Sequence, residues 1–462
     1  MHPRLADDLD RLPQLLDATR HRAGLLLDGL GEQPVRPARQ VPGSAAGPEQ
    51  GAGFRAALAE FAERWEPGLS ASAGPRYLGF VTGGVTPAAL AGDWLTSTVD
   101  QNSNSSLDAA GQHLERETVA WLRGFFGLSD VHEGAFVSGA TMSNAVGLAV
   151  AREWLGERLA VSVAEEGVGA LGRVRVLSGS PHSSIAKGLS MLGIGRAALV
   201  PVATLPDREA VDPAALEEAL RAADGPCVVV ANAGTVNTVD FDDLRAIAAL
   251  RERYDFWLHV DAAFGAFAAL SPAHAHLVDG LELADSVCVD LHKWLNVPYD
   301  SAVQFTRRRD LQARVFQNAA AYLGPLGESP DLVHLTPENS RRLRALAAWF
   351  TLRAYGRDGH REIVERCVSC ARALGGAVGE LPGLRLLAPV RLNVVCFTLA
   401  DDPTAARLAA LADAVSDDVF LTPTVYAGVP ALRAAFSNWR TTGSDVQRIT
   451  EALHRALPAG RR

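Results

Sequence analysis

"ADSVCVDLHKWLNVPYDSAVQF", residues 284–305, sets two buried strands close together with a lysine between them. Ser286–Val289 is a short apolar run of the length and composition of a core strand. It ends in Asp290-Leu291-His292-Lys293-Trp294, and a second apolar run, Ala302–Phe305, follows almost at once. Most lysines sit in water, because burying an ammonium is costly. A lysine held out of water is neutral often enough to attack a carbonyl. The stretch alone leaves both readings open, so the rest of the chain has to supply partners for whatever Lys293 binds.

The same kind of apolar run recurs as "GAFVSG", "VRVLSG", "ALVPV", "CVVVANAG" and "FWLHVDAAF" between residues 134 and 264. Helical patterns such as "DPAALEEALRAA" and "FDDLRAIAALRERY" lie between them. Strands separated by helices predict an α/β fold with a mostly parallel, doubly wound sheet, and ligands at the carboxyl ends of its strands. Residues 1–31 place leucines among charges at helical spacing, and 34–53 is rich in Pro, Gly and Ala. Together with a helix near 54–65 they predict an N-terminal helical arm over 1–75. The large domain is expected over 76–335. Beyond it the pattern changes to a long helix, "LRLLAPVRLNVVCFTL", another helix and "LRAAFSNWR", which predicts a small α+β domain over 336–462.

Bulk properties narrow the function. The chain has 462 residues, 48% of them hydrophobic, enough for a large core. Its 53 acidic and 44 basic residues give a net charge of −9, with no basic stripe, which argues against a nucleic-acid partner. The start lacks the basic-then-apolar pattern of a secretory leader, and no stretch approaches a membrane span. A cytoplasmic protein is expected. The cysteines (227, 288, 367, 370 and 396) are too few and odd in number for a disulfide scaffold. Cys367 and Cys370 form a C-x-x-C inside an amphipathic helical pattern with no second ligand pair, so a buried helix face is expected there, and no metal.

Four elements belong together. "FVSGATMSNAVGLAVAR" (136–152) is a strand, a small-residue turn and a helix, where Gly139, Ala140 and Thr141 suit a phosphate at a helix N-terminus. Ser and Thr also cap helices without any ligand, so this turn alone requires no anion. "FWLHVDAAFGAF" (256–267) ends a strand in Asp261, either a turn aspartate or a buried carboxylate for a cation. "SGSPHSSIAKGL" (178–189) places His182 between a strand and a helix. With Lys293 they supply a phosphate cradle, a carboxylate for a ring nitrogen, an aromatic to stack and an amine, which is what pyridoxal 5'-phosphate (PLP) needs. From about residue 75 onward, and most specifically in "HVDAAFG" and "HKW", the chain resembles the fold-type-I, group II PLP-dependent decarboxylases, which include aromatic amino acid and glutamate decarboxylases.

The resemblance implies a seven-stranded-type sheet and a homodimer, and assigns roles by position. Lys293 is implied to bind the cofactor covalently, Asp261 to pair with its ring nitrogen, His182 to stack on one ring face and Ala263 to support the other. Ala140, Thr141 and His292 are implied at the phosphate, and Thr235 beside the cofactor. Arg433 stands where glutamate decarboxylases keep an arginine for a substrate carboxylate. Phe80, Thr82, Asn102 and Asn104 are implied at the substrate pocket, partly from the partner subunit. The implied reaction is decarboxylation of an L-amino acid to an amine. A non-catalytic cofactor-binding dimer is a second class of reading, against which the intact Lys293 and Asp261 argue.

Three departures from the family pattern bear on the outcome. Leu332 stands where a mobile-loop tyrosine helps protonate the carbanion, leaving His334 as the nearest replacement acid. Slow protonation opens two other outcomes, oxidative deamination to an aldehyde and β-elimination. Asn102 and Asn104 make the pocket more polar than in the aromatic decarboxylases. Asp290 brings a second negative charge near the phosphate, so it is expected to point away or to bond a backbone donor.

Overall fold

In the computed structural model, residues 1–37, 43, 47, 49–103, 110–223, 225–318 and 330–457 are described. Seven strands form the main sheet: β1 (Glu133–Val137), β2 (Val176–Ser178), β3 (Leu199–Pro201), β4 (Cys227–Asn232), β5 (Phe256–Asp261), β6 (Ser286–Asp290) and β7 (Ala302–Thr306). Their order is β1-β7-β6-β5-β4-β2-β3. β3, β2, β4, β5 and β6 pair in parallel, and β7 runs antiparallel to both its neighbours. This is the mostly parallel α/β sheet of a fold-type-I PLP enzyme.

Every residue of β4, β5 and β6 is buried. That explains their continuous apolar runs, because helices cover both faces of a parallel sheet. The helix Ala140–Arg158 is also buried over nearly its whole length, and it packs on the sheet and on the helix Ser183–Met191. Gly147 permits the close approach, since a Cβ there would lie 2.7 Å from the His259 ring.

A second, antiparallel sheet has the order β10-β11-β9-β8, from β8 (Leu384–Leu386), β9 (Val394–Leu399), β10 (Thr422–Tyr426) and β11 (Val429–Ala435). The long helix Ala345–Glu380 packs on it and breaks at Gly356, where φ is 59°. Cys367 and Cys370 are buried on this helix, and burial pushes the Cys367 thiol up to about 12. The segment before the first large-domain helix joins the small sheet: Leu78 N–H donates to Phe420 O, and Ala435 N–H to Leu78 O. The N-terminal helices Pro3–Asp10 and Leu12–Gly29 bury none of their residues. Among the described residues no helix is long and apolar enough to cross a membrane.

Candidate active site

The carboxyl ends of β1, β2, β4, β5 and β6 open onto one cavity of about 460 Å³, which β11 closes with Arg433 and the segment before the helix Pro87–Val99 with Phe80. The parallel sheet makes this possible by bringing its strand ends to one edge. Ala140, Thr141, His182, Thr235, Asp261, Ala263, His292 and Lys293 all line it. Residues from five separate parts of the sequence thus meet at one place.

Lys293 lies in the one-turn helix Leu291–Trp294 directly after β6. Its Nζ is 3.5 Å from Asp290 Oδ2 and 5.4 Å from the centre of the Phe264 ring. Its backbone is clamped by Gly83, where a Cβ would fall 1.6 Å from the Lys293 carbonyl oxygen. Asp261 ends β5. Its Oδ2 accepts from Asn144 Nδ2 at 2.9 Å and its Oδ1 from the Ala263 N–H at 3.2 Å. Among the described residues no cation forms an ion pair with this buried carboxylate.

His182 caps the helix Ser183–Met191. Its Nδ1 accepts the Ser184 N–H at 3.2 Å and lies 2.8 Å from Ser184 Oγ, which leaves the ring proton on Nε2. Burial pushes its pKa down, so the ring is neutral at neutral pH. Thr235 donates its hydroxyl to Glu209 Oε2 at 2.5 Å and accepts from the Asp240 N–H. At the cradle, Asp290 Oδ2 accepts the Ala140 N–H at 3.3 Å, the backbone donor expected for this carboxylate.

Arg433 lies on β11. Its guanidinium donates to the carbonyls of Val236 and Phe80, and its Nε is buried with no hydrogen-bond partner. Burial lowers its pKa. Phe80 is held in the left-handed region, at φ 58°, an uncommon conformation for so bulky a residue. Its N–H donates to Thr422 Oγ1 at 2.7 Å, and its ring stays exposed at the cavity wall. Thr82 is buried behind the wall, its Oγ1 3.4 Å from the Tyr299 hydroxyl.

Asn102 and His334 do not line this cavity. Asn102 is exposed elsewhere, its Oδ1 accepting the Arg341 N–H at 3.1 Å. Asn104 lies outside the described residues. His334, read as the replacement acid, is placed elsewhere in this chain. It is buried away from the cavity, with Nδ1 accepting the Asn318 N–H at 3.0 Å. The cause is the company it keeps: the turn Leu332–His334 is drawn inward as Leu332 and Leu335 pack on Ala135 and Ala313.

Several residues of the site were not singled out in the sequence. Tyr299 lines the cavity and lies over His292, with ring centres 4.1 Å apart. Asn144 holds Asp261, and its Oδ1 lies 2.9 Å from His259 Nε2. Glu209 takes the Thr235 and Thr238 hydroxyls. Asn144 carried a signal, being one helical turn after Thr141 and so facing the same strands. Glu209 carried none, because its partners lie on another loop.

The donor set fits PLP. A lysine faces the cavity, a buried carboxylate lacks a cation, a helix start offers its first amides, and a neutral imidazole lies beside them. A model of the pyridoxal-dependent decarboxylase conserved domain matches residues 40–400. The chain belongs to this family. An L-2,4-diaminobutyrate decarboxylase of Rhizobium meliloti (strain 1021) is 32% identical over 426 residues, 88% of this chain and 82% of that protein. An aromatic-L-amino-acid decarboxylase of Bacillus atrophaeus is 28% identical over 332 residues, 70% and 67% of the two chains. The solved structure of Oryza sativa TDC with PLP and tryptamine superposes with a TM-score of 0.89 at 24% identity, over 97% of each chain. This pyridoxal-dependent decarboxylase is a PLP-dependent carboxy-lyase acting on an amino acid. The two curated relatives are decarboxylases by name, which favours amine formation over the oxidative and eliminating outcomes.

Proposed function

We propose that Lys293 and Asp261 carry the chemistry of this decarboxylase, in a cytoplasmic homodimer with an arm over 1–75, a cofactor domain over 76–335 and a small domain over 336–462. The observation that carries the reading is their shared cavity: the amine rises from the end of β6 and the unpaired carboxylate from the end of the adjacent β5. PLP, when bound there, supplies an aldehyde for the substrate amine and a ring that withdraws electrons from the α-carbon.

Asp261 would hold a proton at the ring nitrogen, and Asn144 fixes the carboxylate's orientation through its Nδ2. His182 and Ala263, which both line the cavity, would confine the ring. Ala140 and Thr141 hold the phosphate at the start of their helix, and His292 and Thr235 border the cofactor. Phe80 and Arg433 wall the substrate pocket, with Thr82 buried behind that wall. Arg433 suits a substrate carboxylate, because among the described residues its buried guanidinium donates only to backbone carbonyls. The walls of the site would orient a bound substrate against the cofactor and so select the reaction.

Asn102, exposed and not lining this chain's cavity, is assigned with Asn104 to the partner's pocket. The dimer is further supported by the N-terminal helices, whose Leu5, Leu9 and Leu16 are about 60% exposed. The test is incubation of the holoenzyme with a panel of L-amino acids, with products identified by mass spectrometry with and without oxygen. An amine formed in step with carbon dioxide, independent of oxygen, is expected. An aldehyde with matching oxygen uptake would replace this reading.

A further inference from the structure

Asp290 is a carboxylate that none of the roles above requires. It closes β6, and its side chain is only 3% exposed. It lines the cavity at the same end as Gly139, Ala140 and Thr141. Its Oδ2 accepts the Ala140 N–H at 3.3 Å and lies 3.5 Å from Lys293 Nζ. Its Oδ1 is 3.0 Å from His292 Nε2 but is not aligned for a hydrogen bond, and it has no other partner. His292 Nδ1 accepts the Ser301 N–H at 3.3 Å, so the ring proton is on Nε2, the atom nearest Asp290. A helix-start amide, an imidazole N–H and an amine therefore converge on one buried carboxylate. These are the groups that a phosphate ester and an aldehyde also need.

We propose that Asp290 is an internal anion of the cofactor cradle, competing with the phosphate of PLP for the Ala140 amide and His292. The chain then holds its cofactor more loosely than its donors alone would allow. This rests on the reading of Ala140 and Thr141 as the phosphate end. The physical basis is that a helix N-terminus has a small positive potential to share. Two anions a few ångströms apart in a partly buried cleft repel strongly, because little water screens them. Without cofactor, the carboxylate gives Ala140 its acceptor and balances the lysine. With cofactor, it is a like charge beside the phosphate. Asp290 is thus a positioning residue that stabilises the empty site and opposes the filled one.

The test uses full-length protein stripped of PLP, as wild type, Asp290→Asn and Asp290→Ala (or Asp290→Val, should the alanine chain not fold). PLP affinity is read from titration of the visible band, and inorganic phosphate affinity from its competition with PLP. The expected result is PLP binding tighter by about tenfold or more in both charge-free variants, with phosphate tightened in parallel. The melting temperature of the stripped variants should fall below that of stripped wild type, because the Ala140 amide and Lys293 lose their anion. Unchanged or weaker PLP binding overturns the proposal. So does a gain confined to Asp290→Asn, which would credit a new amide donor instead. Wild type that binds no PLP at all would refute the reading of the site rather than the role of Asp290.

Discussion

Replacing Asp261 by asparagine removes one charge and almost no volume, so the effect is set by the groups around it. Asp261 accepts from two donors, Asn144 Nδ2 and the Ala263 N–H. An asparagine there can offer its oxygen to only one of them and must turn its own amide nitrogen toward the other. Asn144 cannot flip to compensate. Its Nδ2 also donates to Ser184 Oγ at 3.0 Å, and its Oδ1 pairs with His259 Nε2. One buried donor–donor contact costs about 1–3 kcal/mol, so the variant should fold with a lowered melting temperature. The larger loss is in turnover. Without a charge at position 261 the ring nitrogen loses its proton, and by analogy with other preorganised electrostatic groups kcat should fall about a hundredfold or more, roughly 2.7 kcal/mol of barrier. Amine formation followed by chromatography, alongside thermal melts of the same samples, measures both effects. A variant that keeps kcat within a few-fold of wild type refutes the role of Asp261, whatever its stability.

Stability should respond to acid. Burial holds His259 and His360 at about 4, against an ordinary 6.5, so the unfolded chain binds more protons between those values. Each histidine contributes about 3 kcal/mol that is fully present above pH 6.5 and lost as pH falls toward 4. Asp242, raised to about 6 by burial, works in the opposite direction over pH 6 to 4. Two groups against one predict a melting temperature that falls between pH 6.5 and 4.5, and a flat or rising curve contradicts this. A shared active site predicts complementation: mixed Lys293→Ala and Asn102→Ala protomers should recover activity that neither has alone, and a fully active monomer in sedimentation excludes it.

The sheet was legible because its strands are buried on both faces, so each reads as an unbroken apolar run. The sequence pattern does not state the direction of β7 outright, yet the connection 291–301 contains it. Eleven residues with a one-turn helix are too few for a crossover to a parallel neighbour. Lys293, Asp261, His182 and the 139–141 turn could be read in advance because each stands at a strand end or helix start, where chain direction fixes the side chain. Glu209 escaped notice because its partners lie on another loop, and Asn144 and Tyr299 because theirs, on β5 and in the turn after β6, are set only by the folded chain. The burial of His334 was not legible for a related reason. Its chemistry suited an acid, but its apolar neighbours at 332, 333 and 335 buried it.

Covalent capture of the cofactor tests the central claim most directly. Borohydride reduction of the yellow holoenzyme, followed by digestion and mass spectrometry, fixes PLP to whichever lysine binds it. The chain has only two, Lys187 and Lys293. Lys187 lies on the helix that His182 caps and does not line the cavity. The account predicts the label on the peptide containing Lys293 and none on Lys187. Label on Lys187, or an unlabelled chain that still decarboxylates, would contradict it.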